Sequence, residues 1–293
     1  MKKSWSDKIT VWVFYIFTSA FAIACLYPFL LLIVASFTDE ISLLNKGYTL
    51  IPEKLSLSAY KLIFSNDVIY KAYFVTIFTT VVGTGLSMLC TFGLAYAMMG
   101  NNIKYKNQIA FYLFFTMLFS GGLVPTYILI VKYLQLKDSI WVYILPALVN
   151  PFNVFLMRNF FNTIPTSLQE AAIIDGANDV VILCKIILPI SMPAIATVSL
   201  FYALSYWNEW FKAVLYIEDA NLYSLQYIIM KIIRNIDFAG QMSRNSNINM
   251  QGMIPSYSTR MAITVATIGP IILLYPFLQK YFVKGVTIGA VKG

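Results

Sequence analysis

Six long apolar stretches dominate this sequence of 293 residues. Each is long enough to cross a bilayer, because a membrane-spanning helix needs about 20 predominantly apolar residues. Only 12% of the residues are charged, whereas soluble domains carry about 25%. We therefore predict an all-α membrane protein with six transmembrane helices in one domain over residues 1–293. The predicted spans are residues 10–37, 73–98, 109–131, 140–161, 191–217 and 260–283.

The charges that flank the first apolar stretch predict the orientation of the chain. Three lysines precede this stretch, whereas Asp39 and Glu40 follow it, and further lysines lie in the second-to-third loop and at the C-terminus. Lys and Arg are retained on the cytoplasmic side of a membrane. We therefore expect a multi-pass protein of the cell membrane, in contact with lipid, with both termini in the cytoplasm. Its extracellular loops are predicted at residues 38–72 and 218–259.

The second of these loops contains a helical pattern. Its large apolar residues fall on one face of a helix, and polar residues occupy the remainder. Such a helix can also lie flat on the membrane surface. The polar run that follows, residues 241–247, is predicted to be a loop. The apolar face consists of Leu225, Ile228, Ile229, Ile232, Ile233 and Ile236.

The residue types that the sequence lacks exclude several kinds of chemistry. Histidine is absent, and the three cysteines form no C-x-x-C pair, which argues against Ser-His-Asp catalysis and against zinc sites. There is no G-x-x-x-x-G-K-S/T loop to cradle ATP phosphates. There is also no basic run interleaved with aromatic residues, as in nucleic-acid grooves. We therefore predict no catalytic residue, metal site or cofactor in this chain, and no nucleic-acid partner.

The segment at residues 164–190, between the fourth and fifth apolar stretches, is predicted to lie outside the bilayer. Part of it reads E-A-A-x3-G-x9-I-x-L-P. The small residues keep the predicted helix narrow, so that a partner surface can approach closely. The alternative is an ordinary interfacial loop. The residues that carry the pattern are Glu170, Ala171, Ala172, Asp175, Gly176 and Ala177.

Local signals in this segment predict a helix, a turn and a second helix. Ser167 and Glu170 have the spacing of a capping box, so a hydroxyl at Thr166 or Ser167 is predicted to cap the first helix. Gly176 permits the backbone to turn. Asn178 is then expected to begin the second short helix.

Polar residues inside the fourth and fifth stretches are candidates for a substrate pathway. Polar groups are costly in a membrane and are therefore functional candidates, and Pro146 and Pro151 free backbone groups that must be satisfied within the protein or in a wet cavity. The alternatives are helix-to-helix contacts for the asparagines and an interfacial belt for the tryptophans. The candidate pathway residues are Asn153, Tyr206, Trp207, Asn208 and Glu209.

Taken over its whole length, the chain resembles the permease subunits of carbohydrate-importing ATP-binding-cassette (ABC) transporters. It is most similar to the type represented by the maltose importer's G permease and by the permeases of complex-oligosaccharide importers. Three features carry the resemblance: the pattern from Glu170 to Pro189, the run F-S-G-G-L-V-P-T-Y at residues 119–127, and the C-terminal sequence at residues 275–293.

This resemblance implies a type I ABC importer permease fold, with a cytoplasmic coupling helix between the fourth and fifth spans. It implies a second, non-identical permease subunit, two ATPase subunits, an extracellular sugar-binding protein and an oligosaccharide substrate. ATP and Mg would be bound by the ATPase, so this chain would be no enzyme. Glu170 would meet a basic residue of the ATPase, and Gly176 would form the turn of the coupling segment.

The resemblance also assigns a role to two further segments. The C-terminal tail at residues 284–293, with Lys284, Gly285 and Gly289, would reach toward the ATPase dimer. Composition alone favours a frayed terminus there. The outer loop at residues 218–259 would probe the cleft of the sugar-binding protein.

Three other function classes remain as alternatives. A stand-alone secondary transporter would need buried carboxylates for ion coupling, and the centres of these spans contain almost none. An ABC importer permease for a solute other than a sugar would share every feature except the resemblance to carbohydrate permeases. A membrane-embedded enzyme would need an acid or base, and the sequence supplies few.

Overall fold

A computed structural model of the protein describes residues 5–65, 67–99, 104–245, 257–270 and 272. These residues are mostly helical, which confirms the all-α prediction for the described chain. The helices are α1 (Trp5–Ser36), α2 (Glu40–Lys46), α3 (Ser58–Phe64), α4 (Asp67–Ala97), α5 (Lys106–Leu118), α6 (Leu123–Ile128), α7 (Trp141–Ile144), α8 (Pro151–Phe161), α9 (Thr166–Ile174), α10 (Asp179–Ile182), α11 (Leu188–Ile190), α12 (Met192–Trp207), α13 (Phe211–Tyr216), α14 (Leu225–Asn245) and α15 (257–270).

Two helices are long and apolar enough to cross a membrane, namely Lys8–Ser36 and Asp67–Ala97. Two further candidates are bent pairs: one pair bends by 115° between α5 and α6, and the other by 82° between α11 and α12. The described residues therefore contain two candidate spans, or four if each bent pair is one span. Half of the sixth predicted stretch, residue 271 and residues 273–283, lies outside the described residues, and the count of six remains a prediction.

The chain divides into two compact units. The first comprises Met1–Asp67 and Ile229–Gly269, and the second comprises Val68–Ile228 and Pro270–Gly293. Packing units within a helical membrane protein need not be separate domains. The expectation of a single permease domain therefore stays a prediction.

In the first unit, a buried carboxylate holds the start of α15. Glu40 is only 7% exposed. Its carboxylate accepts hydrogen bonds from the backbone N–H groups of Tyr257 and Ser258, both at 2.9 Å, and from the Ser258 hydroxyl at 2.7 Å. The first N–H groups of a helix have no partner within it, and a negative charge there is favourable. Glu40 thus satisfies the N–H groups of the first two described residues of α15.

In the second unit, α4 presents a stripe of small residues to the core. The stripe recurs every three or four positions and is buried. Small residues let helices approach closely, and hydroxyl groups can bond between them. This stripe consists of Thr76, Thr80, Gly83, Ser87, Thr91 and Ala95.

The fourth predicted stretch is broken rather than continuous. It consists of α7, a 3-10 turn at Leu145–Ala147 and α8. Pro146 lies inside the turn, and Pro151 is the first residue of α8, where its missing N–H costs no hydrogen bond. Asn150 caps α8, because its side chain accepts a hydrogen bond from the backbone N–H of Asn153 at 3.3 Å.

The helical pattern predicted in the outer loop is confirmed as α14. Its apolar face is buried at Leu225 and Ile228 and half-buried beyond them, while Lys231 and Arg234 are exposed. The prediction of a loop from residue 241 is wrong for residues 241–245, which continue the helix. Four of these five residues are polar, but none is Gly or Pro, so nothing in them ends a helix. Residues 246 and 247 lie outside the described chain.

Candidate functional site

The predicted helix of the 164–190 segment is α9, but it is not capped as expected. It begins at Thr166 with Pro165 as the residue before it, and among the described residues no side chain caps this end. The prediction of a hydroxyl cap is therefore wrong. Pro165 has an extended backbone (φ −59°, ψ 131°) and the helix begins at the next residue. Ser167 therefore lies inside the first turn of the helix and not at the capping position.

Gly176 ends α9, which confirms the predicted turn. Its φ is +79°, in the left-handed region that favours glycine. The N–H of Ala177 donates to the carbonyl of Ala172 at 2.9 Å, and the N–H of Gly176 donates to the carbonyl of Ile173 at 3.0 Å. These two bonds form a Schellman motif, which satisfies the last carbonyls of the helix.

Asn178 begins the second helix, as predicted. Its side chain accepts a hydrogen bond from the N–H of Val181 at 2.9 Å and so caps α10. A π-helical turn at Leu183–Ile187 and then α11 continue the chain to Ile190. The segment therefore ends next to the 82° bend that leads into α12.

The residues of the E-A-A pattern are divided between two faces of the segment. Ala172 is buried in the core of the second unit, and Ala177 is half-buried against it. The others, Glu170, Ala171, Asp175 and Gly176, are exposed. They lie beside two large apolar side chains that are also exposed: Ile173 is 60% exposed and Ile174 is 86% exposed.

A second candidate site is a cavity of about 520 Å³ between the break in the fourth stretch and α12. The residues that line it are Pro146, Ala147, Val149, Asn150, Pro151, Phe152, Asn153, Phe201, Tyr202, Ser205 and Tyr206.

Hydrogen bonds fix Tyr202 in the wall of this cavity. The backbone N–H of Asn150, which the helix break leaves without a helical partner, donates to the Tyr202 hydroxyl at 3.0 Å. The same hydroxyl lies 2.7 Å from the Thr91 hydroxyl of α4. The broken helix is thus joined to α4 through one tyrosine.

Tyr206 is fixed in the same way one turn further along α12. Its hydroxyl lies 2.8 Å from that of Ser87 and 3.4 Å from the carbonyl oxygen of Ile144. Its ring lies against Gly83, where a Cβ atom would come within 2.7 Å of the ring. The ring occupies space that only a glycine at position 83 leaves free.

Asn153 is a buried residue of the cavity wall, with 4% of its surface exposed. Its backbone N–H bonds to the Asn150 side chain. Within the part of the chain that the structure describes, its side-chain amide makes no hydrogen bond.

The structure brings two of the five predicted pathway residues together, Asn153 and Tyr206, in the cavity. The other three lie at the end of α12. Trp207 is buried, with 5% exposed. Asn208 is exposed, and its side chain accepts a hydrogen bond from that of Gln226 at 3.3 Å.

Glu209 takes part in an ion pair between α12 and α13. Its carboxylate lies 2.7 Å from Lys212 Nζ, and these two side chains are only 17% and 20% exposed. Lys212 Nζ also donates to the carbonyl of Tyr143 at 3.3 Å. The carboxylate further accepts the backbone N–H of Lys212 at 3.0 Å, which satisfies a donor at the start of α13.

Several residues of the cavity were missed in the sequence analysis. Tyr202 precedes Tyr206 by four positions and therefore shares its helical face. Ser87 and Thr91, which hold the two tyrosines, belong to the α4 stripe, whose helical period is visible in the sequence. Phe152 and Phe201 carry no such signal, because a phenylalanine in a membrane span is unremarkable. The predicted tail residues Lys284, Gly285 and Gly289 lie outside the described residues.

No protein-family model matches the chain. It is 43% identical over 279 residues to the polygalacturonan/rhamnogalacturonan transport system permease protein YtcP of Bacillus subtilis (strain 168), covering 95% of this chain and 96% of that protein. It is 30% identical to the arabinooligosaccharides transport system permease protein AraQ of Halalkalibacterium halodurans, covering 100% of both.

A solved structure is similar as well. The chain matches a chain in the crystal structure of a bacterial ABC transporter involved in the import of the acidic polysaccharide alginate. The TM-score is 0.80 with 33% identity, over 96% of this chain and 99% of that one. These similarities confirm the resemblance seen in the sequence, and the chain belongs to the family of permease subunits of carbohydrate-importing ABC transporters.

Proposed function

We propose that this chain forms half of the translocation pathway of a binding-protein-dependent oligosaccharide importer and couples it to a separate ATPase. The observation that carries the proposal is the exposed turn at the end of α9. Beside this turn, Ile174, the last residue of α9, is 86% exposed, and the exposed Glu170 lies four positions before it on the same face of the helix. An exposed apolar group beside a charge is typical of a surface that binds another protein.

The rigid geometry of the turn supports this role. The Schellman motif at Gly176 and the cap at Asn178 fix both ends of the turn. On its inner side, Ala172 packs against the core of the second unit. A movement of the docked ATPase would therefore pass to that core rather than be absorbed by a loose loop.

The proposed assembly has two ATPase subunits, a second and non-identical permease, and an extracellular sugar-binding protein. ATP and Mg would be bound by the ATPase subunits. We place six spans in this chain with both termini in the cytoplasm, so that residues 164–190 face the ATPase as the coupling segment. The C-terminal tail at residues 284–293 would lie on the same side.

The substrate class that we propose is an oligosaccharide rich in uronic acids, of the kind released from pectin. The support is similarity: YtcP is described as a polygalacturonan/rhamnogalacturonan permease, and the matching solved structure is of an alginate importer. The five pathway residues from the sequence analysis are proposed to border the route of this sugar, with Asn153 and Tyr206 in the cavity.

The alternative of a stand-alone secondary transporter, in which this chain alone couples transport to an ion, is less well supported. A secondary transporter needs a carboxylate that can change its partner. Glu209 of the fifth stretch is held by Lys212 at 2.7 Å, and it also bonds to the backbone at the start of α13. This arrangement argues against a role for Glu209 in ion coupling.

The experiment that tests the proposal reverses the charge of Glu170. In the complete importer in proteoliposomes, Glu170→Lys should abolish most of the ATP hydrolysis that the loaded binding protein stimulates, because like charges at an interface cost several kcal/mol. The matched control is Asn162→Lys, which adds the same charge at an exposed position outside the segment. Normal stimulation in an assembled Glu170→Lys complex would show that the turn does not dock on the ATPase.

A further inference from the structure

We propose that Arg158, in the last turn of α8, binds the phosphate of an acidic phospholipid where α8 packs against α5. The inference rests on the proposed function for the choice of leaflet, because that function places this end of α8, next to residues 164–190, at the cytoplasmic surface of the membrane. The site would hold a lipid of the cytoplasmic leaflet beside the coupling segment.

A small apolar cluster joins α5 to α8. Val154 of α8 and Leu113 of α5 are buried in it together with Met98, which follows α4, and Phe155 packs against the same cluster. Arg158 follows Val154 by four positions and Phe155 by three, so it lies on the same face of α8. Long side chains in a helix lean toward its N-terminus. The stem of Arg158 is therefore directed along the contact of α5 and α8.

The guanidinium of Arg158 lacks an anion in the part of the chain that the structure describes. Its Nε atom is buried there and makes no hydrogen bond, and the salt bridges among the described residues join other side chains. A guanidinium is always charged and has five N–H donors. Because an isolated buried charge is strongly unfavourable, we expect an anion to reach this side chain from outside.

This chain offers no carboxylate for the purpose. The sequence contains 13 Asp and Glu residues, and all of them lie within the described ranges. The two that are nearest to Arg158 in the sequence, Glu170 and Asp175, are exposed on the coupling segment. The loop that follows Met98 adds a further cation, Lys104, which is exposed. This end of the α5–α8 contact is therefore cationic, and its ligand is expected to be anionic.

The boundary between lipid and water is marked beside this cationic end. Tyr105 comes directly before α5 and is 57% exposed, and Lys104 Nζ lies 5.6 Å from the centre of its ring. Tyrosine rings are enriched at the lipid–water interface. The anion that is present throughout this layer of a membrane is the lipid phosphate.

Beyond this boundary, α5 offers a surface for acyl chains. It contains no charged residue from Ile109 to Leu118, a length of about 14 Å at 1.5 Å per residue. This is close to the roughly 15 Å of hydrocarbon in one leaflet. Within α5 only Leu113 is buried. The large apolar side chains that are exposed on it are Phe111, Tyr112, Phe114, Phe115, Met117 and Leu118.

These features favour a lipid over a carboxylate of the docked ATPase. An ATPase carboxylate would approach from the water, whereas the stem of Arg158 is directed back along the apolar contact with α5. Arginine binds phosphate through two parallel N–H bonds. Basic pockets between spans at the cytoplasmic side are typical sites for acidic headgroups. A choline headgroup would bring its own cation next to Arg158 and Lys104, so an acidic lipid is preferred.

The test compares the unfolding of the importer in two lipid mixtures. The complete importer is placed in nanodiscs of phosphatidylcholine, with or without phosphatidylglycerol, and the parent is compared with Arg158→Met, which keeps an apolar stem of similar length. Phosphatidylglycerol should raise the unfolding temperature of the parent by about 2–4 °C more than that of the variant, the shift for one charge contact with an anionic lipid. Arg158→Gln, which keeps a polar end, should behave like Arg158→Met.

Two controls and a direct measurement identify the source of the anion. Lys137→Met removes a cation whose partner is a protein carboxylate, that of Glu218 at 2.6 Å, and should change the unfolding temperature equally in both mixtures. Inorganic phosphate, added to phosphatidylcholine nanodiscs in the same amount as the phosphatidylglycerol, should not reproduce the shift. Native mass spectrometry of the importer released from the mixed nanodiscs should show that Arg158→Met has lost a bound phosphatidylglycerol.

Each other outcome overturns one of the two proposals. If both Arg158 variants respond to phosphatidylglycerol like the parent, or lower the unfolding temperature equally in both mixtures, the anion is a protein group such as a carboxylate of the ATPase and the lipid site is wrong. If inorganic phosphate gives the same shift, the site binds a free anion and the inference is overturned. In these cases the proposed function stands, because Glu170→Lys tests it separately. Normal stimulation in Glu170→Lys together with the lipid-dependent shift would overturn the coupling proposal alone.

Discussion

The ring of Tyr206 on α12 lies against Gly83 on α4, at a position where a Cβ atom on Gly83 would come within 2.7 Å of the ring carbon Cζ. One helical turn further along α4, the Ser87 hydroxyl lies 2.8 Å from that of Tyr206. The same tyrosine therefore sets the distance between α4 and α12 and also forms part of the cavity wall. A substitution at Gly83, which does not line the cavity, is therefore expected to change the cavity wall by displacing Tyr206.

The first prediction concerns this contact. Gly83→Ala should force the Tyr206 ring or α4 to move, and overpacking of a core typically costs about 1–3 kcal/mol. We expect a lower unfolding temperature in detergent and slower sugar uptake. The control is Gly85→Ala on the same helix, where a Cβ would meet nothing within 4 Å and stability should be unchanged or slightly higher. Equal stability of the two variants would contradict the proposed close contact.

The second prediction concerns the turn of the 164–190 segment. Gly176 has a φ of +79° with open space around its Cα, so strain rather than crowding decides which residue is tolerated. Gly176→Trp should uncouple ATP hydrolysis from sugar without unfolding the spans, because a bulky residue with positive φ is a strong outlier. Gly176→Asn should keep most coupling, since Asn visits this region readily. The measurement is stimulated ATPase activity, and equal coupling in both variants would show that the backbone of this turn is not important.

The third prediction concerns the first unit. Glu40→Ala removes the acceptor for the N–H groups of Tyr257 and Ser258 and leaves them without their carboxylate. Bonds to a charged group contribute about 1.5–3 kcal/mol each, so we expect a loss of about 3 kcal/mol in a thermal or denaturant unfolding experiment. The control is Glu53→Ala, which breaks an exposed ion pair with Lys46 and should change stability by at most about 1 kcal/mol. If Glu40→Ala lowers the free energy of unfolding by no more than the control does, Glu40 does not stabilise α15 as proposed.

The fourth prediction is a pH dependence in the loop after α6. Two backbone hydrogen bonds, from the N–H groups of Asp219 at 3.0 Å and Glu218 at 2.5 Å, hold the pKa of Asp138 below its usual value of 3.8. A lowered pKa means that the carboxylate stabilises the loop above that value, and that this contribution is lost as the pH falls through the folded pKa.

The variant Asp138→Asn isolates this effect, because Asn also accepts the positive φ of +51° at this position. We expect the unfolding temperature of the variant to lie below that of the parent by a constant amount from about pH 5 to 8, and the difference to shrink below about pH 4. A difference that changes near neutral pH would assign the effect to another group.

Local features of the sequence were sufficient for much of this protein. Hydropathy predicted the helical membrane class, because the cost of burying polar groups in lipid acts on each stretch separately. Gly176 and Asn178 were predicted correctly for the same reason: a positive φ or a helix cap depends on a few neighbouring residues. The amphipathic helix α14 followed from its period alone.

Contacts between distant residues decided the rest. How Tyr202 and Tyr206 are held by α4, and how Glu40 bonds to α15, depend on residues more than 100 positions apart. Which alanine of the E-A-A pattern faces the core also depends on tertiary packing. Pro146 and Pro151 mark a break in the sequence, but only packing shows that the freed N–H of Asn150 bonds to Tyr202. A hydropathy pattern measures transfer into lipid and carries no information about which side chains face each other, so the cavity could be located only in the tertiary structure.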